Sequence, residues 1–222
     1  MKSFSENPKI LKWFLCIASA SFSFAVYLRT LCPTVYVGDS GELTAAAYTL
    51  GIAHPPGYPL FCLLGKLFTF LPFGNVAYRV NLLSACFASL TVGLVFLILL
   101  RLLQKNEGLS RGERVFAAFT GALSFGFLRD FWFEALSAEV YTLNTFFFAL
   151  LLYLLLRWQE ERKEEIFFLS LFLFGVGLGN HDTLLVFGPL FLFMILLEAP
   201  ALLKDVRFLA KGVLFLALGL SV

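Results

Sequence analysis

The sequence predicts an all-α fold, a polytopic membrane helical bundle of about seven spans with two interfacial helices in the first outer loop. Three observations carry that expectation. Apolar residues make up 59% of the 222-residue chain against 14% charged, and phenylalanine alone contributes 28 positions, a balance outside the range of soluble domains. Long uncharged runs recur, each bounded by Lys and Arg clusters or by Gly and Pro. Between the first two runs lies Val37 to Pro59, where carboxylates, a histidine and prolines crowd together. Charge and unpaired backbone of that kind are costly in hydrocarbon, so this stretch is predicted in water or at an interface.

The elements follow in order. Ile10 to Leu28 is an apolar run broken only by Lys12, matching the roughly 20 helical residues a bilayer needs. A cleaved signal peptide ending at Ala18-Ser19-Ala20 is the rival reading, but its apolar core, Trp13 to Ile17, is too short. The loop that follows is about forty residues long, a length uncommon without a purpose. Inside it, Leu43, Ala46, Ala47 and Leu50 recur at helical spacing, so Ser40–Leu50 reads as a short amphipathic helix ended by Gly51. Leu60, Leu63, Leu64, Leu67 and Phe68 repeat the pattern in a second helix that Pro72 and Gly74 terminate. Both are expected in the interface plane.

Asn81 to Leu100 is the second span, followed by a basic connection. Val115–Leu128 is a short third span, and Arg129 to Glu139 an aromatic polar turn suited to an interfacial belt. Val140–Leu156 is the fourth span, Ile166–Asn180 the fifth and Thr183–Leu197 the sixth, with only His181 and Asp182 between the last two. From Gly212 an apolar run begins a seventh span that reaches Val222 after about half a span, so the chain is expected to be the N-terminal module of a bundle completed by further sequence or a partner chain.

The net charge of +2 says little about partners, and no nucleic-acid signature is present. The distribution of charge says more. With the N-terminus inside, thirteen Lys and Arg fall on the inner side, and four, Arg29, Lys66, Arg79 and Arg129, on the outer. That bias predicts a cytoplasmic N-terminus and puts the 37–59 loop on the outer face. The four cysteines, Cys16, Cys32, Cys62 and Cys86, have neither zinc nor redox spacing; Cys32 and Cys62 share a side and are candidates for a disulfide.

Chemistry, if present, is expected in the first loop. Asp39 and Glu42 have the spacing of a capping box, in which Asp39 would accept the N3 amide and Glu42 would reach back. They also fit a carboxylate presented to take a proton from an acceptor hydroxyl, or a pair of oxygen ligands for a divalent cation. His54 precedes Pro55-Pro56, whose stiffness either fixes the imidazole relative to Asp39 or merely turns the chain. His181-Asp182, after Gly175, Gly177 and Gly179, lies either beside the first loop or at an ordinary N-cap by Asp182.

Three strings, Gly38-Asp39-Ser40-Gly41-Glu42-Leu43, Gly51-Ile52-Ala53-His54-Pro55-Pro56-Gly57-Tyr58-Pro59 and Leu136-Ser137-Ala138-Glu139-Val140-Tyr141-Thr142-Leu143-Asn144, resemble a family of membrane proteins linked to protein O-mannosyltransferases, within the GT-C glycosyltransferase superfamily. The resemblance implies an inverting enzyme with a polyprenyl-phosphate sugar donor. Mannose or another hexose would pass to a protein Ser/Thr hydroxyl or a glycan. It implies a base in the first outer loop, which transfers to Asp39, with Glu42 and His54 beside it. Tyr58, Glu139, His181 and Asp182 become candidate substrate-binding residues, and Arg129 a candidate contact for the leaving phosphate. Membrane lipid is the implied environment, in a bacterial inner membrane or, in a eukaryote, the endoplasmic reticulum. A transporter or a non-catalytic subunit is the rival class, since acids at membrane depth also mark substrate paths, but no inverted repeat is visible.

Overall fold

The computed structural model describes residues 8–221 and is all-α, with no strand among them. The helices are α1 (Pro8–Thr30), α2 (Ser40–Thr49), α3 (Pro59–Thr69), α4 (Val76–Leu103), α5 (Arg111–Gly126), α6 (Arg129–Glu134), α7 (Tyr141–Glu161), α8 (Glu164–Leu178), α9 (Phe187–Glu198) and α10 (Val206–Leu220). Three of them, α1, α4 and α7, are long and apolar enough to cross a membrane. The remaining apolar helices are shorter: the 15 residues of α8 and of α10 extend about 22 Å, less than a hydrocarbon core of about 30 Å.

Three helices, α4, α5 and α10, start upstream of their uncharged runs, because polar caps open them. Asn75 accepts the Tyr78 N–H and starts α4 at Val76. Ser110 and Glu113 form a reciprocal capping box that starts α5 at Arg111 rather than Val115. Asp205 accepts from Arg207 and Phe208 and starts α10 at Val206 rather than Gly212. Uncharged length therefore underestimates these three helices by the turn that carries the cap.

The central element is α4, against which α1, α5 and α7 pack, while α8 joins α7 to α10. One core cluster runs from Leu43 and Phe61 through Leu143, Leu151 and Trp158 to Phe167 and Phe191. In α8 and α10 the backbones touch: a Cβ on Gly219 would collide with the Phe172 carbonyl oxygen, so only glycine permits this approach. A further groove of about 610 Å³ follows α1, α4 and α7 and is lined by apolar side chains such as Ile17, Phe24, Leu90 and Leu154.

Two expectations need correction here. The predicted sixth span starts not as an α-helix but as a 3-10 turn, Asp182–Val186, ahead of α9. All four cysteines are free thiols, so Cys32 and Cys62 are not joined.

Candidate active site

At the end of α4 opposite its basic C-terminal turn, two polar side chains organise the loops. Asn81 and Ser84 are fully buried on the first turns of α4. Asn81 Nδ2 donates to the carbonyls of Cys32 and Thr34, each at 2.9 Å, and its Oδ1 accepts the Ala138 N–H at 2.8 Å. Ser84 Oγ exchanges hydrogen bonds with the backbone N–H and carbonyl of Glu139, both at 3.2 Å. One helix thus fixes the segment that carries Asp39 and the segment that carries Glu139. Buried amides that satisfy several backbone groups at once are strongly directional tethers. Sequence reading missed both residues because they sit inside an uncharged run and look like span.

Glu139 then reaches the first loop. Its Oε1 lies 3.5 Å from where a Cβ on Gly38 would stand, and Gly38 has φ +79°, a left-handed turn that glycine adopts freely. The Asp39 backbone N–H is directed at the Glu139 carboxylate. Burial is the main cause that raises the Glu139 carboxyl to about 7, with the charges of Glu134 and Asp39 adding to it.

Asp39 occupies the N-cap position of α2 but makes no side-chain capping bond, and its own backbone is helical. The capping-box expectation is therefore wrong at both ends, because Glu42 reaches forward instead of back. Its Oε1 accepts the His54 backbone N–H at 2.6 Å and its Oε2 pairs with His54 Nδ1 at 3.0 Å. These bonds from His54 hold the Glu42 carboxyl below the usual carboxylate range. A carboxylate only accepts, so Nδ1 carries the proton in this pair, and the tautomer it selects leaves Nε2 toward Tyr58 and Asp39. Tyr58 OH stands 3.2 Å from that Nε2. Asp39 Oδ2 lies 3.7 Å from it, and 52% of the Asp39 side chain remains exposed.

Tyr58 extends the site inward. It is buried and holds φ +47°, a left-handed backbone rarely adopted by an aromatic residue, at the N-cap of α3. Its ring meets His54 at 5.2 Å and His181 at 5.7 Å, and His181 meets Tyr141 at 5.9 Å. The Leu60 N–H donates to the Gly179 carbonyl at 3.0 Å and seats the 179–183 segment beside the first loop. His181, not Asp182, caps the turn that follows, its Nδ1 accepting the Thr183 N–H at 3.1 Å.

The structure thus brings together Asp39, Glu42, His54, Tyr58, Glu139 and His181. Asp182 is exposed, with Oδ1 3.1 Å from His181 Nδ1. Arg129 stands apart: it opens α6, is exposed, and has no ion pair among the described residues. Lys66 and Arg79 close the end of α3 and its following turn, donating to the Tyr48 carbonyl and to the Thr69, Phe73 and Gly74 carbonyls respectively. Asp39, Glu42 and His54 each offer a donor atom, all within 4.8 Å of one another, a set of two carboxylates and one imidazole suited to a hard divalent cation.

Comparison with known proteins shows the family. The family model described as "Protein O-mannosyl-transferase TMEM260 N-terminal domain" matches residues 39–203, from the candidate base through His181 to just beyond α9. Protein O-mannosyl-transferase TMEM260 of Mus musculus is 39% identical over 168 residues, 73% of this chain and 23% of the relative. The Dictyostelium discoideum protein of the same description is 30% identical over 213 residues, 88% of this chain and 25% of the relative. The chain therefore spans about a quarter of the length of these curated relatives. No solved structure gives a significant match. The chain belongs to the protein O-mannosyl-transferase TMEM260 N-terminal domain family.

Proposed function

We propose that this chain is the catalytic module of a membrane glycosyltransferase of GT-C type, which moves a mannose or similar hexose from a polyprenyl-phosphate donor to a Ser/Thr hydroxyl of a protein. The observation that carries the reading is a half-exposed Asp39 carboxylate lying 3.7 Å from His54 Nε2, at the start of the family match. The relatives' description as protein O-mannosyl-transferases supports the reaction class. About seven spans, with α2 and α3 in the outer interface, is the architecture that suits such an enzyme, and the apolar groove along α1, α4 and α7 suits an isoprenoid chain.

In the proposed reaction an Asp39 oxygen takes the proton of the acceptor hydroxyl while its oxygen bonds to the anomeric carbon. The bond from that carbon to the phosphate oxygen breaks on the opposite side, so configuration inverts and lipid phosphate leaves. Glu42 fixes the His54 ring, and the Glu139 carboxyl holds the backbone turn at Gly38 and Asp39 so that the base does not swing away. Tyr58, His181 and Asp182 form one side of the site where the sugar would lie, and Arg129 is the cation offered to the leaving phosphate.

The test is transfer from a lipid-phosphate mannose by the full-length protein carrying Asp39→Asn. The expected result is a loss of at least 10²-fold in rate at unchanged expression, the scale of general-base removal, with Glu42→Gln milder. Near-normal turnover by Asp39→Asn would sink the assignment.

A further inference from the structure

At the opposite ends of α1 and α4 from Asp39, a recess of about 270 Å³ opens between three helices. Its walls are Leu11 and Lys12 of α1, Leu100 and Gln104 at the end of α4, and Arg111, Arg114 and Val115 at the start of α5. The lining holds three cations and no acid. Of the carboxylates on the flanking segments, Glu160 pairs with Arg101 at 2.5 Å, Glu113 accepts the Ser110 N–H at 2.7 Å in its capping box, and Glu107 is exposed on the turn between α4 and α5, outside the recess lining. Lys12, Arg111 and Arg114 have no ion pair among the described residues. Arg114 is also partly buried; its Nη1 reaches only the Gln104 carbonyl at 3.5 Å, and its Nε is buried with no hydrogen-bond partner.

A buried guanidinium N–H without a partner is costly, and three unpaired cations around one recess repel each other. An anion with several acceptor oxygens relieves both. We propose that this recess binds the phosphate headgroup of an anionic membrane phospholipid. The mixed wall favours a lipid over a free ion: Leu11, Leu100 and Val115 give glycerol and acyl carbons an apolar edge, while the three cations meet the phosphate. Basic pockets between membrane helices take anionic headgroups in this way, and the fork of Arg114 suits phosphate oxygens. The volume is below that of a pocket for a whole drug-sized ligand and of the right order for a headgroup.

The experiment uses the full 222-residue chain in detergent, with phosphatidylglycerol and phosphatidylcholine of identical acyl chains titrated and bound lipid counted by native mass spectrometry. The wild type is expected to bind phosphatidylglycerol about ten- to thirty-fold more tightly, and Arg111→Gln/Arg114→Gln to lose that preference. Lys204→Gln/Arg207→Gln, which removes the same charge from exposed positions outside the recess, is expected to keep it. Should the double recess variant fail to fold by circular dichroism, Lys12→Gln serves in its place, with a smaller loss expected. Equal affinity for the two lipids would overturn the proposal, as would an equal loss in the Lys204/Arg207 variant, which would mean diffuse surface charge. Displacement of phosphatidylglycerol by inorganic phosphate at equimolar concentration would assign the recess to a free anion and overturn the lipid.

Discussion

Glu139 is the residue whose ionisation links the site to pH. Its carboxyl is raised to about 7 from 4.5, chiefly by burial, so between those values the folded chain binds more protons than the unfolded chain. Stability from this group is fully present below about 4.5 and is lost as pH rises through about 7. Glu139→Gln keeps an oxygen for the Asp39 N–H and removes the titration. The difference in unfolding midpoint between this variant and the wild type is therefore expected to be near zero at about pH 5 and to grow in favour of the variant toward about pH 8. Parallel midpoint curves across that range would refute the role of burial at Glu139. The same reading at residue scale explains why Glu42 leaves the cap of α2: two bonds to His54 outcompete one bond to a helix terminus already open to water.

At the scale of elements, the site depends on how α2 and α3 meet. Gly65 of α3 faces Ala47 of α2, and a Cβ on Gly65 would come within 2.7 Å of the Ala47 Cβ, closer than side-chain carbons pack. Gly65→Leu must push the two helices apart, and with them Glu42 at the start of α2 and His54 on the connection to α3. Overpacking of this kind costs about 1–3 kcal/mol. The variant is expected to show a lower unfolding midpoint and reduced transfer, and Gly65→Ala a smaller change of the same sign. Unchanged stability in Gly65→Leu, measured by thermal unfolding in detergent, would mean that α2 moves freely over α3. Helix positions are legible from apolar spacing in Leu43, Ala46, Ala47 and Leu50, whereas the caps at Asn75, Ser110 and Asp205 are not, because they lie outside the apolar runs.

For the whole molecule the charge distribution sets the side that the site is expected to face. Thirteen of seventeen Lys and Arg fall on one side under the seven-span reading. Ile52 is 92% exposed in the loop between α2 and α3, and Asn106 is exposed in the turn between α4 and α5, at the other end of α4. In a background with the native cysteines replaced by serine, a cysteine at Ile52 is expected to react with a membrane-impermeant thiol reagent added outside intact cells or, in a eukaryotic membrane, from the lumenal side of inverted vesicles. A cysteine at Asn106 is expected to stay unlabelled. The reverse pattern would invert the orientation and put Asp39 on the basic side.

Sequence by itself determined the all-α class, the order of the elements, the family, and the loop in which acid and imidazole gather. These follow from composition and local spacing, because apolar periodicity and helix breakers act within a few residues of themselves. Only the tertiary structure decided which polar groups meet. Glu42 and His54 are twelve positions apart, Asn81 ties segments near 33 and 138, and the Tyr58 ring meets that of His181 across more than a hundred residues. Such contacts depend on where α4 and α7 bring distant loops, and a carboxylate chooses its partner by which N–H stands within 3 Å, a distance that no spacing in the chain encodes.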